Sequence, residues 1–185
     1  MVTLPNLLTG LRALGIPLFL WIILVSKNYS LAVLVLVVAG ATDYFDGKLA
    51  RALNQESRLG ELMDPAVDRL YIAAVLIAMY VTQAIPFWVL ALIVIRDIAL
   101  GVLLIAMKQR NIPPFKVTYL GKAATFNILY ALPLLLLTVS AEGSIAELAF
   151  ILGWAFAGWG IGLYLWTGMS YARDGLISLK GSGNV

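Results

Sequence analysis

The chain of 185 residues contains no cysteine and no histidine, and only ten of its residues are aspartate or glutamate. Without cysteine and histidine, structural zinc, iron-sulfur clusters, histidine-ligated haem, disulfides, cysteine nucleophiles and Ser-His hydrolysis lose their usual ligands or bases. Any chemistry must therefore rest on carboxylates, lysine and arginine. Carboxylates without softer donors point to a hard ion, Mg2+ or Mn2+. Charge is scarce as well: 12% of residues are charged and 62% are hydrophobic, more apolar surface than a soluble domain needs.

What is present instead is long apolar runs. Six approach the length of about 20 residues that crosses a bilayer, at 11–26, 31–49, 60–81, 86–107, 118–139 and 146–170. The predicted fold is an all-α integral membrane protein with six transmembrane helices, preceded by a short N-terminal interfacial helix. The connections are short, so residues 1–185 read as a single domain, with 1–10 a juxtamembrane segment and 172–185 a polar tail. The opening lacks a basic n-region and a small-residue cleavage pattern, and reads as retained.

Orientation follows from lysine and arginine placement. With the N-terminus in the cytoplasm, Arg12, Lys48, Arg51, Arg58, Lys108, Arg110, Lys116, Lys122, Arg173 and Lys180 gather at the inner ends of the spans, and Lys27 alone falls in an outer loop. The predicted location is the cytoplasmic membrane, in the bilayer, with the functional face inward. No nucleic-acid partner is expected.

The acidic residues are not scattered. Asp43, Asp46, Asp64 and Asp68 fall at helical spacing inside segments that otherwise read as hydrophobic helix. Each carboxylate costs roughly 2.5–3.5 kcal/mol at a helix centre in lipid, so four unpaired ones would oppose insertion. A divalent cation removes most of that penalty. Asp43, Asp46, Gly47 and Ala50 are three and four residues apart, on one face of the second helix, and Gly60, Asp64 and Asp68 repeat a four-residue step on the third. If the two helices are antiparallel neighbours, the carboxylates converge on one or two cations. Two metals stabilise both attacking and leaving oxygens in displacement at phosphorus. Gly47 and Gly60 leave room for a ligand against the backbone, and Arg51 is suited to grip a phosphate bidentately. The bland alternative, helix caps or interfacial surface charge, suits one or two such residues better than four with matched spacing. Gly121-Lys122 is no P-loop, because the upstream glycine and the following Ser or Thr are missing.

The pattern D-x-x-D-G-x-x-A-R, eight residues, then G-x-x-x-D-x-x-x-D resembles the signature of the CDP-alcohol phosphatidyltransferases at every fixed position from Asp43 to Asp68. The resemblance implies six transmembrane helices, a homodimer, a site for Mg2+ or Mn2+ holding two ions, and transfer of a phosphatidyl group from CDP-diacylglycerol to an alcohol with release of CMP. It also implies roles: Asp43, Asp46 and Asp64 as metal ligands, Asp68 as ligand or as the base for the acceptor hydroxyl, and Gly47, Ala50, Arg51 and Gly60 around CDP-diacylglycerol.

The start LPNLLTGLRALGIPLF, the DPAVDRL continuation and the later R-D and G-K segments are similar to the branch that makes phosphatidylglycerophosphate or cardiolipin. Members using glycerol 3-phosphate usually carry a second arginine eight residues after the position of Arg96, where this chain has Leu104. The stretches around IPPFKVTYLGKAATF and GWAFAGWG look closest to the actinobacterial type of cardiolipin synthase, which makes phosphatidylglycerol the preferred acceptor and glycerol 3-phosphate the alternative. Candidate acceptor-binding residues are Arg96, Arg110, Lys116 and Lys122, although positive-inside anchoring is the better explanation of Arg110 and Lys116, as of Lys108. Arg96 and Asp97 lie within an apolar run, where ionisable groups suggest a functional site; pairing with Arg69 or with the aspartates is the structural alternative. Asn6, Thr9 and Arg12 share a broad helical face that either guards the headgroup pocket or anchors the helix. Gly158-x-x-x-Gly162 in the last span predicts close helix packing, within one subunit or between two, and Trp154, Trp159 and Trp166 read as lipid-facing bulk. A divalent-cation transporter is the rival from another class, opposed by the lack of an internal repeat and by aspartates near one membrane face.

Overall fold

A computed structural model describes residues 4–53, 58–114 and 118–181, with the side chains of 4–9, 11–12, 43–53, 58–66, 68 and 181 outside the described set. Helices α1 (Leu4–Leu20), α2 (Tyr29–Leu53), α3 (Arg58–Val81), α4 (Phe87–Gln109), α5 (Tyr119–Ser140) and α6 (Gly143–Gly181) follow one another with no strand among the described residues. Three of them, over Phe87–Gln109, Tyr119–Ser140 and Gly143–Lys180, are long and apolar enough to cross a bilayer, and shorter apolar helical stretches cover Ala13–Val25, Tyr29–Thr42 and Arg69–Val81. Helix is what lipid demands, because it satisfies every backbone polar group within the segment. The protein is an all-α membrane protein.

Two boundaries differ from the expectation. Residues 4–10 are not a separate interfacial helix but the first turns of α1, which carries Pro17 and continues as a π-helical segment over Trp21–Val25. Pro17 removes a backbone donor from the helix interior, and the wider π turn begins four residues later at Trp21. At the other end, the polar tail expected from residue 172 is helical through Gly181. With 39 residues, α6 is about 58 Å long, nearly twice the hydrocarbon thickness of about 30 Å. Loss of hydropathy at Arg173 and Asp174 marks the edge of the apolar run, not the end of the helix.

The turns between helices are tight. Lys27, Gln83 and Asn111 take positive φ values of 51°, 62° and 55° just past α-helical or π-helical ends. After α3, Ala84 N–H and Ile85 N–H both return to the Met79 carbonyl, and after α4, Ile112 N–H returns to the Met107 carbonyl, so carbonyls left over at the helix ends are satisfied. The next helix start is capped in turn: the Asn28 side chain accepts a hydrogen bond from Leu31 N–H at the head of α2.

The chain divides into two compact units, residues 1–85 with 133–150, and residues 86–132 with 151–185. In the first, α1 packs against both α2 and α3. Phe19, Ile23, Leu76 and Met79 of this unit are fully buried. In the second, Leu100, Leu103 and Met107 of α4 form a core cluster with Tyr171 of α6, closed by Ile112, Ala172 and Leu179. Trp88 of α4 stacks on Trp154 of α6 with ring centroids 5.9 Å apart. Trp154, expected to face lipid, is thus partly packed inside the subunit, whereas Trp159 and Trp166 are exposed at 72% and 62%.

Candidate active site

Asp43, Asp46, Gly47, Ala50 and Arg51 lie in the second half of α2, and Gly60, Asp64 and Asp68 lie in the first half of α3. Both segments are helical, so the three- and four-residue spacings do put each set along one helix face. Both helices pack on α1 within the same compact unit. Their side chains lie outside the described set, as do those of Asn6, Thr9 and Arg12. The carboxylate clamp is therefore represented by backbone register alone, and among the described residues no three acidic side chains gather around a common point.

Of the four basic candidates, the structure describes three, all in the second unit; Lys116 lies outside the described residues. Lys122, in the first turns of α5, is exposed, with Nζ 5.7 Å from the ring centroid of the equally exposed Tyr119. Arg110 follows the end of α4 and donates from Nη1 to the Leu179 carbonyl at 3.0 Å. It thereby covers one of the carbonyls that α6 leaves unsatisfied at its C-terminus, and its positive charge suits that end of the helix dipole.

Arg96 is the deepest of them, half way along α4. Its Nη1 donates to Asp97 Oδ1 at 3.0 Å, with side-chain exposures of 17% and 28% for the two residues. Adjacent helical residues do not face each other, and a third group bridges them here. Tyr164 of α6 donates its hydroxyl to the same Asp97 Oδ1 at 2.6 Å, while its ring lies 3.9 Å beneath the Arg96 guanidinium. One turn further on, Gly168 leaves space for the arginine stem: a Cβ there would stand 3.0 Å from both Cγ and Nε of Arg96. Arg96 Nε is buried and has no hydrogen-bond partner among the described residues. Within this unit the partner of Arg96 and Asp97 is thus Tyr164, a residue that sequence reasoning left unassigned.

A second tyrosine fixes the head of α5. Thr118 is its N-cap, accepting from Gly121 N–H at 3.2 Å through Oγ1. Tyr171 of α6 accepts from Thr118 N–H at 2.8 Å and shares a further hydrogen bond with Thr118 Oγ1 at 2.9 Å. Gly121 is required by this arrangement, since a Cβ would come within 2.5 Å of the Tyr171 hydroxyl. The connection to α5, and with it the backbone that carries Lys122, is tied to α6 by the phenol. The available signal was a stripe along α6, Gly160-Tyr164-Gly168-Tyr171-Gly175, within about 80° of arc at 3.6 residues per turn.

The expected packing at Gly158 and Gly162 is not what the described residues show. A Cβ at either position meets nothing within 4 Å, whereas one at Gly160 would meet the Ile128 backbone nitrogen at 3.1 Å and Asn127 Cβ at 3.2 Å, and one at Gly175 would meet Leu103 and the Met107 sulfur. Close approach of helices inside this unit uses the other face of α6.

Comparison with known proteins brings these features under one heading. Residues 2–161 match the family model described as CDP-alcohol phosphatidyltransferase. The chain is 47% identical to a cardiolipin synthase (CMP-forming) of Streptomyces coelicolor over 175 residues, 92% of this chain and 81% of that one. It is 32% identical to a CDP-diacylglycerol–glycerol-3-phosphate 3-phosphatidyltransferase of Pseudomonas fluorescens over 189 residues, 98% of this chain and 94% of that one. A transporter would owe nothing to this pattern of similarity. The chain is a membrane-embedded enzyme that belongs to the CDP-alcohol phosphatidyltransferase family.

Proposed function

We propose that the enzyme is a cardiolipin synthase, transferring the phosphatidyl group of CDP-diacylglycerol to phosphatidylglycerol with release of CMP. The observation that carries this reading is the 47% identity, across nearly the whole chain, to the Streptomyces coelicolor protein of that name. Leu104, standing where glycerol-phosphate enzymes usually place a second arginine, supports it from the sequence side. Glycerol 3-phosphate is the second reading, favoured by the similarity to the Pseudomonas fluorescens enzyme.

The family is generally dependent on a divalent metal. The donor set fits a hard ion: four carboxylates and no softer ligand, in helical register on two helices that share α1 as a packing partner. Asp43, Asp46, Asp64 and Asp68 would hold two ions, Mg2+ or Mn2+, whose positive charge would offset the negative charge of the diphosphate and of the departing CMP. The chain's own groups do the rest. Arg51 binds the diphosphate, and Gly47, Ala50 and Gly60 admit the cytidine against the helix backbone. The Asp68 carboxylate takes the proton from the acceptor hydroxyl as its oxygen bonds to the phosphorus that carries the lipid. The bond from that phosphorus to the CMP oxygen breaks, and CMP leaves with the electron pair. Arg96, with Lys122, Lys116 and Arg110, binds the acceptor phosphate, and Asn6, Thr9 and Arg12 border the headgroup pocket. Six spans, a cytoplasmic N-terminus and a homodimer in the cell membrane complete the proposal.

The test is CMP release and product lipid analysis with CDP-diacylglycerol and either acceptor, in Mn2+, in Mg2+ and in EDTA. The expected result is metal-dependent cardiolipin formation from phosphatidylglycerol. Product from glycerol 3-phosphate alone selects the second reading. Asp68→Asn is expected to lower turnover about 100-fold or more, and parental turnover in that variant removes the base assignment.

A further inference from the structure

Arg96 sits in the apolar middle of α4, where an uncompensated cation is costly. Its charge is paired with Asp97 on the same helix, and one side chain of another helix touches both residues. Tyr164 offers the ring face to the guanidinium at 3.9 Å and the hydroxyl to Asp97 at 2.6 Å, so a single rotamer holds both members of the ion pair. Gly168 lets the arginine stem lie against the α6 backbone, where a Cβ 3.0 Å from Cγ and Nε would force the stem to shift. The outcome is a cation whose stem, ring contact and one terminal nitrogen are all fixed, and whose buried Nε is unpaired among the described residues.

We infer that Tyr164, Gly168 and Asp97 are positioning residues that hold Arg96 in one orientation to receive the anionic phosphate of the acceptor. The inference rests on the proposed role of Arg96 in acceptor binding. Phosphatidylglycerol and glycerol 3-phosphate share that chemistry, each carrying the hydroxyl nucleophile and a phosphate. An arginine already ordered loses less rotamer freedom when it takes up a ligand, so ordering appears as acceptor affinity. Asp97 also brings the formal charge of the pair to zero, which makes an arginine tolerable in a low-dielectric setting. A simple latch between α4 and α6 would use the same contacts, but its loss would lower folding stability and reduce both substrates' kinetics together.

The experiment uses the full chain in detergent micelles, with a short-chain phosphatidylglycerol in one arm and glycerol 3-phosphate in the other. KM is measured for the acceptor and for CDP-diacylglycerol, alongside the thermal midpoint. Tyr164→Phe, which keeps the ring and removes the hydroxyl, is expected to raise the acceptor KM about tenfold, as loss of one charge-assisted hydrogen bond does. Tyr164→Leu is expected to raise it further, and Gly168→Ala to raise it by a similar factor, all with the KM for CDP-diacylglycerol within twofold of the parent. Arg96→Gln separates the two ideas. If it leaves the acceptor KM unchanged in both arms, Arg96 does not bind the acceptor and the inference falls with that reading. If it raises the acceptor KM while Tyr164→Phe does not, the cradle alone is overturned. Equal rises in both KM values, or activity losses that follow the thermal midpoint, assign Tyr164 to a latch. Should Gly168→Ala fail to fold, the two Tyr164 variants decide the matter.

Discussion

The two faces of α6 have similar ingredients and opposite fates. One carries Gly158, Gly162, Trp159 and Trp166, and all four are exposed in the described structure. The other carries Gly160, Tyr164, Gly168, Tyr171 and Gly175, where every glycine is buried and both tyrosine hydroxyls are hydrogen-bonded. Small residues at four-residue spacing are thus a permission for close approach and no more. What turns permission into contact is a neighbour of matching shape: Ile128 of α5 against Gly160, the Arg96 stem against Gly168, Leu103 and Met107 against Gly175. The same helix face also takes up the polar groups, because a hydroxyl brought close to another helix finds acceptors that lipid does not supply.

Enlarging Gly160 should have the largest effect on the contrast. Gly160→Leu is expected to destabilise the protein by about 3 kcal/mol, the upper end of overpacking costs, because the obstructing Ile128 nitrogen belongs to the backbone and cannot turn aside. Unfolding in mixed micelles would measure it, and a loss below about 1 kcal/mol would show that α5 and α6 separate easily. Tyr171→Phe comes next. It leaves Thr118 N–H without the phenol oxygen and should cost about 1–3 kcal/mol, with faster amide hydrogen exchange at Thr118 and Gly121 as the local signature. Trp88→Leu removes the stack on Trp154 and should cost about 0.5–1.5 kcal/mol beyond the lost burial. Smallest are Gly158→Ala and Gly162→Ala, each expected to be neutral or to stabilise by up to about 1 kcal/mol, since the added methyl meets nothing and alanine is the better helix former. A clear destabilisation from either would mean that another surface covers this face in the membrane, and a change in oligomeric state would identify that surface as a second copy.

Much of the architecture was legible before any coordinate. Hydropathy located the six helices of the described residues, and α2 and α3 are helical through Asp43–Arg51 and Gly60–Asp68, as the aspartate spacing implied. Arg96 and Asp97 stood out as ionisable residues in an apolar run. Their partner did not, since a tyrosine within a span gives no hydropathy signal that separates a buried phenol from an interfacial one. The Gly158-x-x-x-Gly162 motif was visible too, but a Cβ at either glycine meets no neighbour among the described residues. The extent of α6 was missed for a related reason: the apolar run stops near Tyr171, whereas the backbone needs only continued helix-compatible residues and packing of Tyr171, Ala172 and Leu179 on α4 to remain helical.

By itself, then, the amino-acid order determined the helical membrane class, the family signature on α2 and α3, and which residues share a helix face, since all three follow from composition and a 3.6-residue period. Only the tertiary structure decided which face of α6 turns inward, that Tyr164 holds Arg96 and Asp97, and that Tyr171 closes on Thr118. The physical reason is the solvent. Lipid is as apolar as a protein core, so hydrophobicity cannot distinguish an inward face from an outward one, and that choice is left to shape and hydrogen bonding between helices.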